Sequence, residues 1–378
     1  MKYKLSDICE YAKGTIKVSA LDKNTYISTE NMLPNKSGIT QAASLPAQEQ
    51  TQAFMKDDVL VSNIRPYFKK IWYATFDGGC SNDVLVFRAK DGIDSRFLHY
   101  VLADDSFFNY AMATSKGTKM PRGDKKAIME YKVPKLSYEE QSKIAGILEV
   151  IDEKIEINAA INKNLLEQAQ TIFTEEFLSL DGIPEGWSES SLLGIANYLN
   201  GLAMQKFRPS DDEQGLPVLK IKELRQGSCD ANSERCSLSI KPEYIVHDGD
   251  VIFSWSGSLL VDFWCGGTCG LNQHLFKVTS TDYDKWFYFA WTNHHLQKFT
   301  AIAADMATTM GHIKREELAK AKVLIPSATD YKRIGGLLEP IYDLIILNRI
   351  ENRRLVSLRD ELLPQLMSGQ LGLSKVPL

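Results

Sequence analysis

The sequence predicts a mixed α/β (α+β) protein: two pseudo-symmetric mixed modules, separated by two long helices that pair as a coiled coil. Three observations predict it. Identities recur at an offset of 190 residues, among them Asn82/Asn272, Phe97/Phe287, Thr118/Thr308, Met120/Met310, Ile144/Ile334, Gly146/Gly336 and Leu165/Leu355. Strand-like and helix-like segments follow in the same order in each copy. Each copy then runs into a long helical stretch with asparagines at matching positions, Asn158 and Asn162 in one and Asn348 and Asn352 in the other.

A period of half the chain means two copies of one module, because solenoid units are only about 20–50 residues long. Similarity between two coiled coils alone would not align the strand and loop segments as well. With small gaps, "DVLVS" (58–62) answers "DVIFS" (250–254), and "LSDICEYAKG" (5–14) answers "LLGIANYLNG" (192–201). "DVLVSNI", "DVLVFRA", "GDVIFSW" and "QHLFKVT" read as strands. "SRFLHYVLADDSFFNYAMA" and "KWFYFAWTNHHLQKFTAIA" read as helices over an apolar core. The resulting division is a first module over 1–136, a helix over 137–180, a second module over 181–326, a second helix over 327–370 and a tail over 371–378.

The first long helix opens after Pro134 with a capping box, Ser137 and Glu140, whose side chains satisfy free N–H groups of the first turn. The second opens after Pro326 with a weaker version, Ser327 and Asp330. Glycines close both, Gly182 and Gly369. Pro364 predicts a kink or early stop in the second helix, at the place where the first has Thr174. On a 4-3 spacing the first seam reads Ile144, Leu148, Ile151, Ile155, Asn158, Asn162, Leu165, Ala169, Ile172. The second reads Ile334, Leu338, Ile341, Ile345, Asn348, Asn352, Leu355, Arg359, Leu362. Buried asparagine is unfavourable unless it is paired. If the helices run antiparallel, the four amides meet and penalise a slipped register, so the coil acts as a ruler.

The apolar fraction of 44% and charged fraction of 24% are those of an ordinary globular protein. No apolar run approaches the roughly 18 residues of a membrane span, and "MKYKLSDICEYAKG" lacks a signal-peptide core, so the expected location is the cytoplasm. The six cysteines show no paired metal spacing. "CGGTC" (265–269) beside His274 is half a site at most, which favours structural thiols and no metal. The net charge of −4 excludes a uniformly basic nucleic-acid binder and leaves only local basic patches.

The order "GDVIFS…SGS", "TKM", "VPKLSYEEQSKIAGILEVIDEKIE" and "ELLPQLMSGQL" resembles the specificity subunit of type I restriction–modification systems, over nearly the whole chain. The resemblance implies that each mixed module is a target recognition domain reading one half of a bipartite, interrupted sequence in double-stranded DNA. It implies that the two long helices form an antiparallel coiled coil, a spacer docking two modification (methyltransferase) subunits, which restriction subunits then join. It also implies that the chain is not itself an enzyme: S-adenosylmethionine, ATP and Mg belong to the partner subunits, and this chain holds no cofactor. The second helix start, "PSATDYKRIGGLL", departs from the pattern by lacking the Glu-Gln pair of "YEEQSKI".

The residues agree with that division of labour. No adenine-methylation motif and no Walker A loop are present, and "GTKMPRGDKK" has the wrong spacing. Candidate DNA contacts in the first module lie in "SNIRPYFKKIW" (Ser62, Asn63, Arg65, Lys69) and "SKGTKMPRGDKK" (Lys116, Thr118, Lys119, Arg122), where cations interleave with aromatics or a glycine-rich turn. In the second module they are Ser254, Ser256, Asn272, Gln273, Thr308, Thr309, His312 and Lys314, a set richer in amides and hydroxyls, as unlike half-sites require. Two other readings compete: a methyltransferase or nuclease acting alone, and a twin-module scaffold binding only proteins. A methylation assay on the single chain addresses the first, and a gel shift with added modification subunit the second.

Overall fold

The computed structural model describes residues 2–305 and 313–368. The chain divides into two compact units, Met1–Glu153 with Leu355–Leu378, and Lys154–Arg354. Each unit holds one mixed module and part of both long helices.

In the first unit, strands Cys9–Tyr11, Val84–Ala89, Val59–Ser62 and Ile71–Tyr73 lie side by side in an antiparallel sheet. Both faces of this sheet are covered, which explains the unbroken apolar runs of the sequence. Val59, Val61, Leu85 and Phe87 face a core built with helices Ser95–Ala103 and Asp105–Ala113, while Leu60, Val84 and Val86 face a second small core with Phe54 and Met32. That second core belongs to a smaller sheet of Thr15–Lys17, Gln50–Phe54, Gly78–Cys80 and Tyr26–Ile27, in which only the last pair is parallel. The helical run predicted from Ser95 to Ala113 is two helices. Asp104 breaks it, because its carboxylate accepts from Ser106 N at 2.6 Å and caps a new start.

The second unit repeats the plan. Strands Asn197–Asn200, Leu275–Thr279, Val251–Ser254 and Leu260–Phe263 form its antiparallel sheet. Val251 and Phe253 face the main core, and Ile252 faces the smaller one. Its smaller sheet again carries one parallel pair, Leu216–Leu219 beside Cys269–Leu271. Here Lys285–Asp305 is one continuous helix, because His294 stands where the first copy has the capping Asp104.

The first long helix spans Tyr138–Phe173 and continues as a wide turn over Thr174–Leu178. The second spans Ala328–Ser368. Their starts differ as the sequence predicts. Ser137 N donates to Glu140 Oε2 at 2.8 Å while Glu140 N donates to Ser137 Oγ at 3.3 Å, a reciprocal box. Asp330 is one methylene shorter, and its carboxylate takes the Ser327 hydroxyl (2.7 Å) and the Trp187 indole N–H (2.9 Å) instead. Of the two outcomes expected at Pro364, the early stop does not occur: the second helix continues to Ser368. Proline forfeits one N–H and strains the preceding turn, at a cost of about 3 kcal/mol. Leu363 and Leu366, buried on either side of it, each return roughly 1.5–3 kcal/mol and hold the helix together. Gly369 and the tail over 371–378 lie outside the described residues.

Within each unit the helices run antiparallel. In the first, Ile144 and Leu148 share a core with Leu363 and Leu366. In the second, Ala169 and Phe173 share one with Ile334, Leu338 and Ile345. Among the described residues no helix is long and apolar enough to cross a membrane.

Candidate nucleic-acid interface

The amides of the seam form a network with internal two-fold symmetry. Asn158 Nδ2 donates to Asn352 Oδ1 at 2.8 Å, and its repeat equivalent, Asn348 Nδ2, donates to Asn162 Oδ1 at 2.9 Å. Asn352 Nδ2 donates to the Ile155 carbonyl at 3.0 Å, and its equivalent, Asn162 Nδ2, donates to the Ile345 carbonyl at 3.3 Å. Asn158, Asn162 and Asn348 are all buried. Each pair thus comes from opposite members of the repeat, which antiparallel pairing requires. The symmetry is incomplete at one point, where Glu351 accepts a second bond from Asn158 Nδ2 at 2.6 Å.

In the first unit the two basic stretches singled out in the sequence are brought together. The loop after strand Val59–Ser62 and the loop over 116–126 are joined by an isolated bridge between Ile64 and Arg122 and by the Arg65 N–H to the Pro121 carbonyl at 2.8 Å. A second bridge, Lys116 to Arg122, folds the 116–122 loop on itself and leaves Thr118 and Lys119 exposed at its tip. Ser62 and Asn63 are buried at the root: Ser62 Oγ donates to the Ile64 carbonyl at 3.1 Å, and Asn63 Oδ1 is buried without a partner. These two shape the loop, while Arg65, Lys69, Lys116, Lys119 and Arg122 carry its charge.

Several of those charges are already partnered. Lys69 and Lys36 both pair with Asp105 (2.6 and 2.9 Å), Lys116 with Asp124 (2.6 Å) and Arg122 with Asp83 (3.0 Å). Lys116 and two backbone N–H groups hold the Asp124 carboxyl down to about 2, and Asp124 in turn raises the Lys116 ammonium. Burial pulls Lys70 down, and its ammonium donates to the Thr29 carbonyl at 2.5 Å. Lys36 was not legible as a site residue. It joins through a backbone pairing, Asn35 N to Phe68 O (2.8 Å) and Lys36 N to Lys69 O (2.9 Å), that no local pattern announces beyond the turn-rich "PNKSG". Asn35, Lys36, Arg65 and Lys69 all have left-handed backbone, φ between 50° and 60°. Non-glycine residues there cost on the order of 1–3 kcal/mol each, and such strain gathers at functional sites.

In the second unit, Ser254, Ser256, Asn272 and Gln273 lie on neighbouring loops. Ser254 Oγ is fully buried and donates to the Ser256 and Ser258 carbonyls (3.2 and 3.1 Å). Ser256 Oγ meets His274 Nδ1 at 3.1 Å, and Asn272 Oδ1 accepts the His274 N–H at 3.2 Å. These buried groups brace the loop. Gln273 is half-buried beside them, and Trp255 bridges to Asn200 Oδ1 at 3.0 Å. The Ile313 N–H reaches the Trp255 carbonyl at 2.9 Å and brings the exposed Lys314 into the same region. Thr308, Thr309 and His312 lie outside the described residues. The basic stretch over 220–225 is largely neutralised, Lys220 by Glu234 (2.5 Å) and Lys222 by Asp230 (3.2 Å).

Comparison with known proteins accounts for this duplicated plan. The chain is 25% identical to the type I restriction enzyme MjaIX specificity subunit of Methanocaldococcus jannaschii, over 76% of this chain and 71% of that one. It is 20% identical to the HindI specificity subunit of Haemophilus influenzae over 98% and 99%. In fold it matches the crystal structure of the type I restriction–modification system S subunit from M. genitalium, with a TM-score of 0.59 at 15% identity, over 97% of this chain and 96% of that one. The family model described as the type I restriction modification DNA specificity domain matches twice, over residues 1–167 and 184–356, one match to each copy of the repeat. Matched twice, once over each repeated module and the helix that follows it, the chain belongs to the family of type I restriction–modification DNA specificity subunits.

Proposed function

We propose that this chain reads a bipartite, interrupted target in double-stranded DNA, one half-site through each module, and scaffolds two modification subunits to which restriction subunits are added. The domains follow the sequence division, with recognition modules over 1–136 and 181–326. The observation that carries the reading is the pairing of a symmetric amide network with unlike loops: the network reads the same from either helix, while one loop set is cationic and aromatic and the other is rich in amides and hydroxyls. Dimeric DNA readers use the same logic, with half-sites a fixed distance apart on the duplex.

Scaffolding is supported by apolar side chains left exposed at repeat-equivalent positions of the two long helices, Ile157 with Leu347 and Leu166 with Val356. Exposed apolar groups set on a regular scaffold suit a protein partner. In this reading the chain performs no chemistry. S-adenosylmethionine, ATP and Mg act on the partner subunits. The net charge of −4 follows as well, because affinity is supplied by the assembled complex.

The test is a module exchange. Replacing residues 1–136 by the corresponding module of a relative, then mapping methylated sites in cells carrying the complete system, changes one half-site and leaves the other half and the gap intact. A change in both halves, or in neither, refutes the assignment. In gel shifts the isolated chain binds DNA weakly, and added modification subunit gives tight, sequence-specific binding.

A further inference from the structure

We infer that Arg65 is a specificity-determining residue of the first module, reading a guanine in the first half-site; this rests on the DNA-reading function proposed above. The argument starts from the repeat. Strands Val59–Ser62 and Val251–Ser254 occupy the same place in the two sheets, and each ends in a serine that donates to the carbonyl two residues on, Ser62 to Ile64 and Ser254 to Ser256. The next residue is left-handed in both copies: Arg65 at φ 51° and Gly257 at φ 65°. The shared turn therefore demands a conformation that glycine adopts freely and arginine does not. The second module satisfies it with glycine. The first retains arginine against the strain, so the side chain has a use that the turn itself does not explain.

Its surroundings show what that use is. The backbone at Arg65 is fixed on both sides, by its N–H to Pro121 and by its carbonyl accepting from Phe68 N at 2.9 Å. Its Nε is buried and has no hydrogen-bond partner. A rigid anchor and a packed stem aim the guanidinium rather than letting it sweep. Lys69, Lys116 and Arg122 are neutralised by Asp105, Asp124 and Asp83, whereas no ion pair to Arg65 occurs among the described residues; Lys119 is unpaired among them too, but it lies exposed at the loop tip on no such anchor. A phosphate contact requires none of this, since a flexible lysine on a relaxed backbone serves equally well. An oriented, unneutralised planar fork suits bidentate donation to guanine O6 and N7 in the major groove.

The test uses the complete complex of this chain with its modification subunit, methylating a library of random DNA that is then sequenced for modified sites. Arg65→Gly restores the residue of the second module, so its melting temperature does not fall. One G·C position in one half-site becomes degenerate, with discrimination there reduced roughly ten- to a hundred-fold, while the other half-site is unchanged. Arg65→Asn, which also tolerates left-handed backbone, gives the same relaxation, and Arg65→Lys does not restore guanine. An unchanged motif in these variants overturns the inference. So does a uniform loss of binding across all sequences with a shallower salt dependence, which marks a phosphate contact. A parent complex that shows no bipartite motif defeats the DNA-reading function itself, a result distinct from either.

Discussion

Replacing Asn162 and Asn348 by leucine, singly and together, tests whether the seam amides act as a pair. Both are more than nine-tenths buried, and Asn348 Nδ2 donates to Asn162 Oδ1 at 2.9 Å. Asn348→Leu strands the Asn162 oxygen. Asn162→Leu strands the Asn348 amide and also removes the bond to the Ile345 carbonyl. An orphaned buried polar group costs about 1–3 kcal/mol, while replacing both partners by apolar groups is close to neutral. Each single variant therefore loses about 1–3 kcal/mol, with Asn162→Leu the worse. The double variant recovers most of the loss, giving a coupling of about 1–3 kcal/mol. For a unit of this size that is about 2–4 °C in melting temperature per kcal/mol. Five of the six tryptophans (187, 255, 264, 286 and 291) lie in the same unit as all four asparagines, so indole fluorescence follows the unfolding that matters. The outer pair provides an internal control. Asn158 has a second acceptor in Glu351, so Asn352→Leu costs less than its repeat equivalent, Asn162→Leu, which loses the same kind of carbonyl bond. Additive losses in the double variant, or equal effects at the two pairs, would refute the reasoning.

Two further outcomes concern the first unit. Burial pushes the His99 imidazole down to about 4, with Asp152, Arg359, Arg96 and Lys36 around it, and its Nδ1 has no partner. The unfolded chain, titrating near 6.5, then binds the proton that the folded chain refuses, so stability falls as pH drops from about 6.5 towards 4. His99→Phe, the residue at the repeat-equivalent position 289, should match the parent above pH 7 and gain on it steadily below 6.5 in urea titrations; a difference independent of pH would contradict this. Arg88 makes a bidentate pair with the buried Asp58 (2.8 and 2.6 Å). Arg88→Ala leaves that carboxylate without a counter-charge, with only the Met55 N–H (2.8 Å) donating to it, and should destabilise the unit by about 2–4 kcal/mol, less than a fully enclosed pair because Arg88 is one-third exposed. A urea midpoint that does not move would show the pair to be dispensable.

Some of this was legible because its physics is local or periodic. The strand cores 59–62, 84–89, 251–254 and 275–279 follow from short apolar runs, the helix starts from Ser137 and Ser327, and the seam from its 4-3 spacing. The break at Asp104 was equally local, but the capping signal was hidden inside an apolar stretch that reads as one helix. Pro364 does not end its helix for the opposite reason: a strong local breaker is overruled by Leu363 and Leu366, whose burial depends on residues far away in sequence. Lys36 was invisible because its place is set by backbone bonds to Phe68 and Lys69, some thirty residues on.

By itself, then, the sequence determined the duplication, the order of elements and the matched polar interruption of the two long helices, since a repeat offset is a property of order along a chain; that the helices run antiparallel shows in the bonds between non-equivalent asparagines. Only the tertiary structure decided which amide bonds which, and which polar residues of the loops brace the turn while others face outward. It alone revealed that Arg65 holds a backbone that its counterpart leaves to glycine. Those are outcomes of packing and chain reversal, where a residue's environment is set by distant neighbours and not by the residues beside it.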